Sequence, residues 1–290
     1  MQIIGSAFFL ILNIYLAKEG FSDPEIANFI SYRFLAVMLL AFPLGFYIKG
    51  KRLKPFFIFG SLGVPLIAIA LVFAVQYGFF QYLPVLFILW GIFFTLFQVS
   101  SLPYVMRNTS AENQSHAIAL NYATHSFGTI ISGLFIYVSG KFMEQIDEGK
   151  ILIVISVIGF TGIYYLLQMK QDRVIPVRKE FQWRSYDWIL LLKAILPTLI
   201  IAIGAGLTIP FINLFFFHNF QIDSTGFAFI GGFASILVAF SALSVPNLKN
   251  RLGFRKGITY TQMIAVLALV ALATMEFFTI YWWALPLSVM

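Results

Sequence analysis

The chain has 290 residues, of which 60% are hydrophobic and 11% are charged, whereas about a quarter of the residues in soluble domains are charged. The net charge of +7 does not indicate nucleic-acid binding, because the basic residues lie in short loops between apolar runs and not on one exposed face. The absence of cysteine excludes a disulfide framework, thiolate chemistry and Cys-based metal sites.

Long apolar runs predict an all-α integral membrane protein. The first run, residues 1–17, reaches only about 25 Å as a helix, less than the roughly 30 Å of a bilayer core. Ser22, Asp23 and Pro24 supply cap and first-turn residues for the second helix. The spans after the first are expected at residues 24–48, 55–75, 79–106, 116–139, 151–169, 188–217, 224–248 and 257–278, and a tenth begins at residue 279.

Two basic hinges, residues 49–54 and 249–256, separate apolar runs and lie 200 positions apart. The same offset superimposes identical residues at six positions without a gap: Ile3 and Ile203, Asn13 and Asn213, Asp23 and Asp223, Phe29 and Phe229, Ile30 and Ile230, Lys49 and Lys249. A repeat of this length is far longer than a solenoid unit and is typical of the paired halves of a secondary transporter.

The distribution of basic residues predicts the orientation of the chain. If both hinges, the loop at Arg107 and the polar segment 170–187 lie on one side, that side holds 14 of the 19 Lys and Arg residues and the other side holds three. Basic residues concentrate in cytoplasmic loops. We therefore expect a multi-pass protein of the inner (plasma) membrane, with its basic loops in the cytoplasm.

The two hinges resemble a motif of the major facilitator superfamily (MFS), G-x-x-x-D-R-x-G-R-R. In the first copy Gly45 occupies the first position, Lys49 replaces the aspartate, and Lys51 and Arg52 keep the basic character. The second copy is closer to the motif, with Asn250, Arg251 and Gly253 in the D, R and G positions. By this resemblance, these seven residues form a conformational motif.

The resemblance implies an MFS-type bundle of two pseudo-symmetric six-helix halves. About ten helices are present, with the first and the tenth incomplete, so we expect the chain to be truncated at both ends. The expected domains are an N-terminal half at residues 1–170, a cytoplasmic linker at 171–187, and a partial C-terminal half at 188–290.

Arg33 is the candidate substrate-binding residue inside the bilayer. It lies about nine residues into the second span, where a lone guanidinium costs around 2.5–3.5 kcal/mol on insertion scales. Apart from Glu25, in the first turn of the second span, and Glu276, at the end of the ninth, no Asp or Glu lies inside a predicted span. Arg33 is thus either a structural clamp that donates to backbone carbonyls or the ligand of an anionic substrate group.

His125 is the titratable candidate for proton coupling, and it shares a helix face with Asn121, four residues earlier. Asn13, Asn213 and Gln98 are the other deep amides, and each is expected either to bind substrate or to form interhelical hydrogen bonds. His116 is out of phase with His125, so no shared metal site is expected.

These features favour a secondary transporter that moves a small solute by alternating access, with proton coupling left open. A small-molecule substrate, a surrounding lipid bilayer and a monomeric state are expected, without cofactor, metal or nucleic acid. The substrate is expected to be anionic if Arg33 is its ligand. The alternatives are an integral membrane enzyme or a non-transporting membrane scaffold. The enzyme would require clustered His, Asp, Ser or Cys near one membrane interface, and the polar loops contain no such cluster. Symport and antiport are not distinguished.

Overall fold

A computed structural model describes residues 1–110, 112–142, 147–169 and 187–275. Over these ranges the secondary structure is helical and contains no strand. The helices are α1 Gln2–Lys18, α2 Asp23–Tyr47, α3 Lys54–Gln76, α4 Leu83–Asn108, α5 Gln114–Phe142, α6 Glu148–Gly159, α7 Thr161–Gln168, α8 Trp188–Thr208, α9 Ile212–Phe220 and α10 Ser224–Met275. Two short 3₁₀ turns precede α4 and α9.

The beginnings of α2 and α3 follow from their sequences. Ser22 donates hydrogen bonds from its backbone N and its Oγ to Oε2 of Glu25, at 2.9 and 2.7 Å, which fixes the first turn of α2. Pro24 and Pro55 lie in the first turns of α2 and α3. Backbone N–H groups in a first turn have no acceptor within the helix, so proline costs no hydrogen bond there. The predicted spans 24–48 and 55–75 are thus confirmed to within one residue.

Three predicted segments differ from the structure. The sixth span consists of two helices, α6 and α7, and the seventh is divided by the 3₁₀ turn Ile209–Phe211 into α8 and α9. Pro210 explains the second break, because its ring removes a backbone donor and crowds the preceding turn. The predicted hinge at 249–256 is narrower in the structure: α10 consists of two helices that meet at a kink at Gly253, whose φ of 72° and ψ of 172° are not helical. The segments on either side of the kink, Ser224–Gly253 and Arg255–Thr274, are separate candidate spans.

Seven helical segments of the described chain are long and apolar enough to cross a membrane. They are Asp23–Tyr47, Lys54–Gln76, Phe80–Asn108, Glu148–Gln168, Leu199–Phe220, Ser224–Gly253 and Arg255–Thr274. The apolar helix Gln2–Lys18 is shorter. The expected ten helices in two six-helix halves are therefore not established. The linker 171–186 and the tenth span, from residue 279, lie outside the described residues.

The core of the bundle surrounds α1. Helix α1 packs against α5, α6, α9 and α10, while α4 packs against α2 and α3. Ile4, Leu10 and Ile14 are fully buried, so α1 is enclosed by protein around most of its circumference. This position accounts for a first helix that is apolar on every face.

Helix α5 packs closely against the part of α10 that precedes Gly253. A Cβ on Gly133 would lie 2.5 Å from the carbonyl oxygen of Ala228 and 3.1 Å from Cα of Gly232. Only glycine permits this approach of the two backbones. In the expected division of the chain α5 lies in the N-terminal half and α10 in the C-terminal half, so this contact is one that would join the two.

Candidate functional site

A cavity of about 480 Å³ lies between α1, α2, α4, α5 and α8. Four residues that the sequence suggested for substrate binding line it together: Asn13, Arg33, Gln98 and His125. They come from four different helices, which only the fold brings together. A concave site of this size with a few polar groups in an apolar wall has the usual form of a small-molecule site.

Arg33 is held in the cavity wall by aromatic rings. Its guanidinium carbon lies 4.3 Å from the ring centroid of Trp90, 5.2 Å from that of Phe94 and 5.6 Å from that of Phe34. Cation–π contacts in a site without water stabilise an arginine by about 2 kcal/mol or more. This stabilisation offsets much of the free-energy cost of placing the charge at this depth.

The hydrogen bonds of Arg33 remain incomplete. Its Nε is buried and has no hydrogen-bond partner, and none of the ion pairs of the described residues includes Arg33. A carboxylate at a fixed salt-bridge distance would have been the simplest structural partner for this side chain. Arg33, which lines the cavity, therefore has a positive charge without an ion-pair partner among the described residues and a buried N–H donor without an acceptor.

Gly91 allows α2 and α4 to approach each other at the level of Arg33. A Cβ at this position would lie 2.5 Å from the carbonyl oxygen of Arg33 and 2.9 Å from Cβ of Ala36. A side chain at Gly91 would force the two helices apart and move Arg33 relative to the ring of Trp90. Sequence analysis missed Gly91, because a single glycine within an apolar run carries no distinctive signal.

Helix α4 presents a continuous stripe to the cavity, formed by Phe87, Trp90, Phe94 and Gln98. Their spacing of three and four residues places them on one helix face. Gln98 is exposed at the end of this stripe. The aromatic members were not predicted, although the periodicity was present, since the sequence contains 34 phenylalanines and most of them suit a lipid-facing position equally well.

Asn13 and Asn213 are joined by an interhelical hydrogen bond and are buried, at 5% and 1% exposure. Asn13 also donates to the carbonyl of Pro210 at 2.7 Å, and Asn213 donates to the carbonyl of Phe9 at 3.2 Å. The structural reading of both residues, as interhelical contacts, is therefore confirmed. Asn13 also reaches the cavity, and substrate binding by Asn213 stays a prediction.

His125 borders two cavities. Besides the central one, it lines a second cavity of about 320 Å³ between α5, α9 and α10, together with Ser126, Thr129 and Ser235. Within the described part of the chain its imidazole has no recorded hydrogen bond, while its carbonyl accepts one from Thr129. Asn121 does not line either cavity and accepts a hydrogen bond from Ser101 at 2.7 Å. Its role in substrate binding also stays a prediction.

The first basic hinge is built around a glycine and an arginine from another helix. Gly50 has φ 72°, which favours glycine. Arg107, at the end of α4, donates from Nη1 to the carbonyl of Lys51 at 2.7 Å and from Nη2 to that of Ile48 at 3.3 Å. These bonds satisfy carbonyls at the end of α2 and attach α4 to the hinge.

The other members of the proposed conformational motif lie at the same end of the bundle. The ammonium of Lys51 stands 3.1 Å from the ring centroid of Tyr47, and a Cβ on Gly45 would meet nothing within 4 Å. Lys49, Arg52, Asn250, Arg251 and Gly253 are the remaining members, and Gly253 repeats the φ of 72° found at Gly50. Their part in a conformational change stays a prediction.

No group of three or more His, Asp or Glu residues that could hold a metal ion occurs in the described ranges. His218 and Asp23 form a pair, with Nε2 3.2 Å from Oδ1, at the adjoining ends of α9 and α2. This pair lies at the end of the bundle opposite the basic hinges.

The family model of the Major Facilitator Superfamily matches residues 1–290 of the chain. No curated protein and no solved structure matches this chain.

Proposed function

Because this chain belongs to the Major Facilitator Superfamily and is therefore a multi-pass membrane transporter of a small molecule, we propose that it moves an anionic solute by alternating access. Transport in this family is generally not enzymatic. The carrying observation is Arg33, a cation that faces the central cavity without a carboxylate partner among the described residues. An anionic group of the solute supplies that partner.

Contacts at both ends of the bundle bear on how the cavity would be opened during transport. Helix α1 packs against α9, and the pair of Asp23 and His218 adds a contact at the same end. In α8, which leads towards the basic hinges, nearly every described side chain is exposed. These contacts join the two parts of the chain at the end opposite the hinges, and at the hinge end α5 and α10 touch where Lys249 donates to Ser115 at 3.3 Å.

The proposal places the hinges in the cytoplasm, as the positive-inside rule predicts. In the alternating cycle the α1–α9 contact opens while α8 moves against the first repeat, so that the cavity faces one side at a time. The plasma membrane is the proposed location. Proton coupling forms part of the proposal and is assigned to His125, which borders the central cavity.

A structural role for Arg33 is the competing explanation, because the ring of Trp90 already stabilises its charge. The two explanations differ in what a substitution changes. Arg33→Gln keeps a hydrogen-bonding side chain but removes the charge, and Arg33→Lys keeps the charge but loses the planar fork that binds a carboxylate through two parallel bonds.

The experiment compares uptake of a panel of organic anions by proteoliposomes that contain the wild type or one variant. We expect Arg33→Gln to abolish uptake and Arg33→Lys to reduce it, with little change in the unfolding temperature in detergent. Lys141→Gln, which removes an exposed cation at the end of α5, is the matched control and is expected to transport normally. Normal uptake by Arg33→Gln, or its failure to fold in detergent, would establish the structural role instead.

A further inference from the structure

The wall of the central cavity is largely aromatic, and this lining bears on the kind of substrate that fits it. Six aromatic side chains line it: Phe8, Phe9, Phe34, Phe87, Trp90 and Phe94. Phe8, Phe87 and Trp90 are buried and belong to the packed wall, whereas Phe9, Phe34 and Phe94 keep part of their surface accessible. The accessible rings come from α1, α2 and α4, so they face the cavity from three sides.

Few polar groups are free to contact a ligand. Asn13 uses its amide nitrogen for Asn213 and Pro210, which leaves Arg33, Gln98 and His125 as the polar side chains of the lining. No Asp or Glu lines the cavity among the described residues. A sugar or another polyol would lose most of its hydrogen bonds to water here, because unpaired polar groups in an apolar site are costly.

From this lining we propose that the substrate is a monoanion with an apolar, preferably aromatic, body, whose acidic group meets Arg33 while its body packs against Phe9, Phe34 and Phe94. The inference rests on the proposed transport function and adds the substrate class to it. A cavity of about 480 Å³ falls within the range of about 300–1,000 Å³ that holds drug-sized ligands. Small hydrated anions such as inorganic phosphate leave the aromatic surface uncovered.

Three related probes separate the charge from the body: 4-phenylbutyrate, butyrate, which lacks the ring, and 4-phenylbutyramide, which lacks the charge. Binding to the purified full chain in detergent is measured by isothermal titration calorimetry. We expect butyrate to bind at least about tenfold more weakly than 4-phenylbutyrate, because the buried ring is lost. The amide should also bind at least about tenfold more weakly, because Arg33 then has no anion to meet.

The variant Phe34→Ala tests whether the apolar body of the ligand contacts the ring of Phe34. Phe34 lines the cavity and is 45% exposed, and Phe42, two turns further along α2, is 63% exposed but lies outside the cavity lining. We expect Phe34→Ala to weaken 4-phenylbutyrate binding by about fivefold or more and to weaken butyrate binding by a smaller factor, because butyrate has no ring to lose and only the contact of Phe34 with Arg33 changes. Phe42→Ala, the matched control, should bind both as the wild type does.

The outcomes distinguish this inference from the transport proposal. If butyrate or inorganic phosphate binds as tightly as 4-phenylbutyrate, the inference that the substrate has an aromatic body is wrong, while the proposal of anion transport stands. If the amide binds as tightly as the carboxylate, the substrate does not need an anionic group, and the proposed transport of an anion is contradicted as well. If no aryl carboxylate binds to protein that is folded and active with another anion, the inference is overturned.

Discussion

Asn13 of α1 donates a hydrogen bond at 3.0 Å to Oδ1 of Asn213 in α9, its counterpart 200 residues further along the chain. The two residues are equivalent under the sequence repeat, and in the fold they lie against each other. Asn213 donates in turn to the carbonyls of Phe9 and Leu10 in α1. The first span and the seventh are thus joined at their buried contact by amide hydrogen bonds in addition to hydrophobic packing.

Replacing these amides should loosen the contact between the repeats. We expect Asn213→Leu to destabilise the protein by about 1–2 kcal/mol, since buried polar partners lose their bonds. Asn13→Leu should cost less, because Asn13 makes fewer bonds. Thermal unfolding in detergent measures both.

The double variant Asn13→Leu/Asn213→Leu provides the control. Its loss of stability should be smaller than the sum of the single losses, because the two residues share a bond. Strict additivity would show that the Asn13–Asn213 bond contributes nothing to stability.

The glycines of α5 and α8 predict opposite responses to the same substitution. Gly133→Ala places a Cβ 2.5 Å from the carbonyl of Ala228 and should cost about 1–3 kcal/mol through overpacking. Gly204→Ala meets nothing within 4 Å and should be neutral or stabilising by about 0.5–1 kcal/mol, since alanine favours the helix. Unfolding temperatures in detergent report the difference, and equal effects of the two changes would contradict the close α5–α10 contact.

The spans that the sequence located well are those with chemical signals at their ends. Ser22, Glu25 and Pro24 mark the start of α2, and Pro55 marks the start of α3 after the basic turn. The break in the seventh span was not predicted although Pro210 marks it, because prolines also occur inside the continuous helices α2 and α3, at Pro43 and Pro65. Gly253 lies within the predicted second hinge and interrupts α10 there, while the residues on either side of it are helical.

The polar part of the site could be predicted and the aromatic part could not. Arg33 and His125 stand out because charged or titratable residues are rare within apolar spans. Phe94 and Trp90 occur in a chain where 18% of residues are aromatic, so their position on the cavity side of α4 depends on how that helix is rotated. Asn121 shares a helix face with His125, yet it pairs with Ser101 on α4 and does not reach the cavity.

The topology prediction uses the natural absence of cysteine. Single cysteines at Ser110 and Glu19, both exposed and at opposite ends of the bundle, should react with a membrane-impermeant maleimide from opposite sides. Glu19→Cys should label in intact cells, and Ser110→Cys should label only after the membrane is opened. Gln145, which the same reasoning places with Glu19, lies outside the described residues. Labelling of both cysteines in intact cells would contradict the cytoplasmic position of the hinges.

His125 is the described titratable side chain that the central cavity and the α5–α10 cavity share, and we propose it as the position for a proton that moves with the substrate. We expect His125→Gln to retain substrate exchange down a gradient, because the cavity keeps its shape and Arg33 its charge. The same variant should lose accumulation driven by a pH gradient, because the glutamine side chain does not bind and release a proton as an imidazole does. Proteoliposomes with an imposed pH gradient separate the two activities.

His116→Gln is the matched control for this prediction, since His116 lies on the same helix, is exposed, and lines neither cavity. It should accumulate substrate as the wild type does. Gradient-driven accumulation by His125→Gln at the wild-type rate would show that His125 does not carry the proton. A wild type that ignores the pH gradient would refute proton coupling itself. Loss of both exchange and accumulation in His125→Gln would assign the imidazole to substrate binding beside Arg33, because a residue that only carries protons is not needed for exchange at equal pH on both sides.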